Sequence, residues 1–269
     1  KAGFPQIEKM AAVAASGDKQ VTVLGNDPNS DVALSKKFIE PTKMAFTQPE
    51  YFDIFNAKWL AGTAKALSQP GNAVIDKPLA IKYFGDWKNA MGQYVKLDNV
   101  ILLKVSGIIE EAPANSDFPI KFFASYETLK NIPGNYGYFP GWGSLSSNHQ
   151  IYITLPNKAG AAAMQAQMKS FVKKHFKEDR PDERMQVLQP LKEMHFDSHY
   201  GSLGDHTTSK SILWTLSFIA VLIIVMASIN FINLSTAQSV GRSKEVGIRK
   251  VLGSNRSQLI GQVMGETFL

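Results

Sequence analysis

Residues 212–234 read ILWTLSFIAVLIIVMASINFINL, 23 residues that are overwhelmingly apolar. The surrounding stretch from Ser211 to Gly241 carries no ionisable side chain at all. A helix of that length rises roughly 34 Å, enough to cross a hydrocarbon core of about 30 Å. A core helix of a soluble protein normally keeps a polar stripe for solvent, and this one has none. Its place near the far end of the chain excludes a signal peptide. The segment is therefore expected to be a transmembrane helix.

The flanks orient it. Arg242, Lys244, Arg249 and Lys250 follow the span closely, whereas Lys210 and Asp205 are nearly alone before it. The positive-inside rule places the basic tail in the cytoplasm and residues 1–205 outside, with Trp214 at the outer headgroup boundary. Charge counts agree. Up to Lys210 there are 24 Lys and Arg against 21 Asp and Glu; beyond it there are five against two. Half of the net +6 sits in a short tail beside the membrane, which fits topology better than nucleic-acid binding. Inside the span, Asn230 and Asn233 are costly in lipid and share a helix side at a spacing of three. They lie either at the cytoplasmic interface or against neighbouring helices in a membrane bundle.

Composition narrows the chemistry. The 269 residues are 44% hydrophobic and 19% charged, ample for a folded core. The chain starts at Lys1 and stops inside an apolar pattern, as an excerpt of a longer protein would. It contains no cysteine, which excludes disulfides, thiol catalysis and cysteine-held metal centres. No GxxxxGK[ST], GxSxG, HExxH or EF-hand pattern occurs, so no catalytic residue, phosphate loop or metal site is expected here. His195, Asp197, His199, Asp205 and His206 are the nearest approach to a ligand cluster. Their Gly/Ser-rich setting just before the span favours a polar linker over a metal site.

The outer part reads as α+β. Residues 5–15 suggest the end of a helix and 20–24 a strand, followed by extended chain over 38–46. Residues 49–55 (PEYFDIF) form a helical turn with aromatics on one side. A strand at 72–75 leads to a helix at 78–84 stopped by Gly85. Residues 94–97 and 101–109 pair as a hairpin around Asp98-Asn99. A Pro/Gly/Asn-rich stretch at 132–148 is a long loop, whose Tyr136, Tyr138, Phe139 and Trp142 either grip a ligand or pack on their own domain. A β-α-β unit then uses strands at 150–155 and 185–191 around a helix at 158–176. Met164, Met168, Phe171, Val172 and His175 recur on that helix as a core stripe. The expected arrangement is small mixed sheets, in two subdomains.

Past the span, residues 242–253 read RSKEVGIRKVLG, followed by Arg256 and Gln258-Leu259-Ile260. This resembles the FtsX-type permease domain shared by MacB-like macrolide exporters and lipoprotein-release ABC transporters. PEYFDIF (49–55), NAVIDKPLAIKYFG (72–85) and VSGIIEEAPANSDF (105–118) similarly resemble the MacB-type periplasmic core. The resemblance implies a bacterial inner-membrane permease. Its expected parts are a periplasmic porter-like β-α-β module over 1–205 with a small α/β subdomain inserted at 46–117, a transmembrane helix at 212–234, and a cytoplasmic coupling segment at 240–269 that begins the next membrane helix. It implies a second permease copy and a cytoplasmic ABC ATPase that holds the ATP and magnesium. It also implies contact with membrane lipid and with periplasmic or outer-membrane partners. Such permeases transmit ATPase-driven motion to a periplasmic domain for export or extraction of substrate.

On that template Arg242, Glu245, Val246, Gly247, Ile248, Arg249, Lys250 and Leu252 meet the ATPase. The residues themselves support a short amphipathic helix, stopped by Gly253, with Ser254 or Asn255 capping the next. Such a helix also suits attraction to anionic lipid. The competing function is a single-span receptor whose outer domain binds a ligand; it would continue into a soluble signalling domain, whereas a permease would continue into further spans.

Overall fold

A computed structural model describes residues 3–41, 44–132, 148–156, 158–175, 186–197 and 207–268. They fall into two compact units, Lys1–Thr207 and Thr208–Leu269.

The first unit is built on ten strands: β1 (Lys9–Ser16), β2 (Lys19–Gly25), β3 (Lys36–Glu40), β4 (Met44–Thr47), β5 (Trp59–Gly62), β6 (Asn72–Asp76), β7 (Tyr94–Leu97), β8 (Ile101–Ile109), β9 (Phe122–Ser125) and β10 (His149–Thr154). They form one mixed sheet in the order β10-β1-β4-β9-β6-β8-β7-β2-β3, with β5 pairing to β8. The expected small sheets are thus a single one, and the strands of 46–117 share it with those on either side. β4–β9 and β6–β8 are parallel pairs; the other pairs are antiparallel.

Alternation explains how the centre of this sheet is buried on both faces. Ala73 and Ile75 of β6, with Phe122 and Ala124 of β9, enter one core, while Val74 and Phe123 between them enter the other. Helix α1 (Tyr51–Ile54) covers the second face, where Tyr51, Phe52, Phe55, Trp59, Phe118, Phe123 and Tyr152 pack ring to ring. Helix α2 (Lys77–Phe84) covers the first face through Leu79, Ala80 and Tyr83. The Asp76 side chain caps α2 by accepting from the Leu79 N–H at 2.9 Å, and Gly85 closes it at φ +83°. The β7–β8 hairpin turns through Asp98, Asn99 and Val100, with Asp98 and Asn99 at positive φ and the Val100 N–H donating back to the Leu97 carbonyl at 2.8 Å. Helix α3 (Tyr126–Lys130) follows β9.

Two expectations fail. Residues 9–16 are a strand, not a helix end. Ala-rich KMAAVAAS favours helix locally, but β1 is paired on both sides, to β10 and β4, and buries Ala11 and Val13 completely. Helix α4 (Lys158–His175) places Met164 and Val172 in the interior, with Met168 and Phe171 packed beside Met164, so these four are core as read, while His175 is half-buried with its ring against Phe171. The second strand expected at 185–191 is absent among the described residues, however. Gln165 of α4 instead donates to the Gln186 carbonyl and accepts from the Leu188 N–H, at 2.9 and 2.8 Å. The segment is held by a side chain rather than a ladder, and Pro190 and the short helix α5 (Leu191–Met194) follow it.

The second unit consists of α6 (Lys210–Val251) and α7 (Arg256–Phe268). The expected span is the first half of α6. The basic segment is helical, but it continues the same 42-residue helix instead of forming a separate one.

Candidate functional site

Large apolar side chains are exposed throughout the first half of α6, among them Phe218, Ile223, Ile224, Met226 and Phe231. This helix is long and apolar enough to cross a membrane, and none of its apolar window is buried by the rest of the chain. Its hydroxyls are satisfied locally: Thr215, Ser228 and Thr236 each donate to the carbonyl four residues earlier, at 2.7–2.9 Å. The Asn230 and Asn233 amides lie exposed on the same helix. An amide has two donors and an acceptor to satisfy and no such local route, so in lipid it needs a neighbouring helix or the interface.

Gly253 ends α6. It adopts φ +100°, the Gly253 N–H bonds the Lys250 carbonyl, and the Ser254 N–H reaches back to the Arg249 carbonyl at 3.1 Å. Asn255 then opens α7. Its carbonyl accepts from Leu259, while its own N–H donates to the Gln258 side chain at 3.2 Å. This turn folds α7 back along α6. Arg249 donates to Glu245, one helical turn away on the same helix, at 2.5 Å, and to Gln262 of α7 at 2.7 Å. Between the helices lies a half-open groove of about 250 Å³, lined by Arg242, Glu245, Val246 and Arg249 on one side and Leu259, Gln262 and Val263 on the other.

The eight residues expected to meet an ATPase therefore divide into four that line the groove and four that do not. Arg242, Glu245, Val246 and Arg249 follow the i, i+3, i+4, i+7 spacing of a single face and are turned toward α7. Gly247, Ile248, Lys250 and Leu252 do not line the groove. Ile248 is 56% exposed and Leu252 79%, and a side chain added at Gly247 would meet nothing within 4 Å. Gln262 and Val263 were not singled out from the sequence, and Leu259 only as part of the family motif, although their i, i+3, i+4 spacing is that of a packed helix face.

Two members of the ligand cluster considered before the span bond elsewhere. His195 Nδ1 lies 2.8 Å from an Asp117 carboxylate oxygen, and Asp197 accepts from Gln189 at 3.2 Å. His199, Asp205 and His206 lie outside the described residues, as do Tyr136, Tyr138, Phe139 and Trp142. Among the described residues, no three potential ligands converge as a metal site would need.

A double-faced sheet domain, an exposed apolar helix long enough to cross a membrane and a charged helical hairpin fit a membrane protein with a large domain outside the bilayer. The chain belongs to the family of MacB-like periplasmic core domains, which it matches over residues 1–171, and it matches the FtsX-like permease C-terminal domain over 217–269. It is 25% identical over 202 residues to the macrolide export ATP-binding/permease protein MacB of Burkholderia cenocepacia, covering 73% of this chain and 26% of that one. It is 23% identical to the MacB of Acinetobacter baylyi, covering 100% of this chain and 38% of that one. The chain thus spans about a quarter to two fifths of the length of these relatives. The crystal structure of the periplasmic region of MacB from Actinobacillus actinomycetemcomitans superposes with a TM-score of 0.44 at 17% identity, over 65% of this chain and 71% of that one.

Proposed function

We propose that this chain is part of the permease of an ABC transporter of the MacB/FtsX type, which transmits motion driven by a partner ATPase across the inner membrane to its periplasmic domain. The observation that carries this reading is the continuity of α6. One unbroken helix contains both the apolar span and the basic segment through Val251, so displacement at its cytoplasmic end moves the span as one body. On this reading, residues 1–205 lie in the periplasm and export or extraction of a substrate takes place there. ATP and magnesium are held by the ATPase.

The division of the basic segment into groove-lining residues and others refines the contact. The α7-facing residues Arg242, Glu245, Val246 and Arg249 set the hairpin, and Gly247, Ile248, Lys250 and Leu252 present apolar area and charge to the ATPase. Asn230 and Asn233 bond to further helices of the bundle, including those of a second permease copy. The test is co-isolation of the ATPase with the full-length protein from membranes. Ile248→Asp is expected to abolish it while membrane insertion stays intact; an unchanged yield would refute the docking role.

A further inference from the structure

Among the described residues, the segment that leads toward the membrane helix is held to the sheet domain at Met194 and His195, beyond the Gln165 contacts of 186–188. Met194, at the end of α5, is 7% exposed and enters the aromatic core behind α1. The next residue, His195, bonds Asp117 in the loop between β8 and β9. Gln189 and Asp197, eight residues apart, bond across α5 and brace the turn that presents both. Asp117 is followed by Phe118, whose ring lies 4.4 Å from Phe55 and 5.5 Å from Tyr152. A contact on Asp117 thus leads directly into packed side chains anchored on β10 and α1.

Chain connectivity gives this arrangement its meaning. Among the described residues, a pull or push passed along the backbone from Lys210 toward the sheet meets the 194–195 anchor before the Gln165 contacts of α4 with 186–188. A plug of apolar side chain resists separation in any direction, and a His–Asp bond at 2.8 Å resists sliding. We infer that Met194 and His195 form the clasp through which movement of the membrane helix enters the sheet domain, with Asp117 as the receiving group. This rests on the transmission reading above and adds the point of entry, and it stands only if a coupled response is observed at that point.

The experiment is hydrogen exchange on the full-length protein with its ATPase in membranes, with and without Mg-ATP and vanadate. In the unaltered protein, nucleotide should change exchange in residues 110–121. In Asp117→Ala, amides of 186–197 should exchange about tenfold faster without nucleotide, as loss of one charge-assisted bond allows. The nucleotide response at 110–121 should vanish, while protection of β6 and β9 and the rate of ATP hydrolysis persist. Met194→Ala should act in the same way, and the exchanged pair Asp117→His/His195→Asp should restore the response. A response at 110–121 that survives both Asp117→Ala and Met194→Ala would overturn the clasp while leaving transmission standing. No response in the unaltered protein would overturn both.

Discussion

Arg249 of α6 donates to Gln262 of α7 at 2.7 Å across the turn that Gly253 begins. The same guanidinium holds Glu245 one turn away on its own helix. A residue whose type suggests a docking charge is thereby a hinge pin of the hairpin as well.

The first prediction separates these roles. Exposed i,i+4 pairs contribute about 0.3–0.5 kcal/mol, so Arg249→Glu alone should leave insertion and protein level near normal. It also sets two like charges on one helix face and removes the bond to Gln262, so ATPase association or coupling should fall. Adding Glu245→Arg restores the pair and should recover part of the loss. Lys158→Glu, in the other unit, should do nothing. Pull-down yield and the coupling of hydrolysis to transport are the measurements.

Gly247 supports a sharper test. Ala is better than Gly inside a helix by about 1 kcal/mol, and a methyl group there meets nothing within 4 Å in the chain itself. Gly247→Ala should therefore raise the helix content and melting temperature of the hairpin. Gly247→Leu should weaken ATPase association without unfolding it. If Gly247→Leu bound the ATPase normally, the place of Gly247 on the docking surface would be wrong.

A third prediction concerns pH. Burial pushes the Asp76 carboxyl up from 3.8 to about 6, against the opposing pull of its bond to Leu79 and of Lys121. A carboxyl with a higher pKa in the folded state holds its proton more tightly there. Its contribution is complete below about pH 3.8 and is lost as pH rises through about 6, costing about 1–3 kcal/mol. Asp76→Asn keeps an oxygen to cap α2 and removes the titration. Denaturant unfolding of the domain at pH 4.5 and 7.5 should show a smaller difference in the variant than in the parent.

Gly62 is constrained twice. It sits at φ +74°, and a Cβ there would lie 2.3 Å from the Ser106 carbonyl oxygen of β8, backbone that cannot swing aside. Gly62→Ala should destabilise the domain by at least about 2 kcal/mol. A melting temperature within a degree of the parent's would contradict this packing.

How much of this was legible in the sequence depends on whether the cause is local. The span was readable because the absence of charge from Ser211 to Gly241 has a single physical explanation. The helix read at 78–84 and the 98–99 turn were readable because Gly85 and Asp98-Asn99 act on their own neighbours; the Asp76 cap, one residue before the helix, was not read although it is equally local. β1 was not readable, because its partners in β4 and β10 lie at least 28 residues away in sequence, and its alanines point to helix until they are buried. The pairing of Gln165 with 186–188 and of His195 with Asp117 is also non-local. The family motif marked the segment 242–252 as a unit, but which of its residues face α7 emerged only when the Gly253 turn set α7 beside them.

The central claim is that the sheet domain and the basic end of α6 lie on opposite sides of one membrane. The 269 residues contain no cysteine, so single cysteines placed here report cleanly once any cysteine elsewhere in the full-length protein is replaced by serine. Lys88→Cys on the sheet domain and Ser257→Cys on α7 are both at exposed positions. In spheroplasts, a membrane-impermeant maleimide should label Lys88→Cys directly and Ser257→Cys only after permeabilisation. Labelling of both from the same side would contradict the spanning assignment and, with it, transmission through α6.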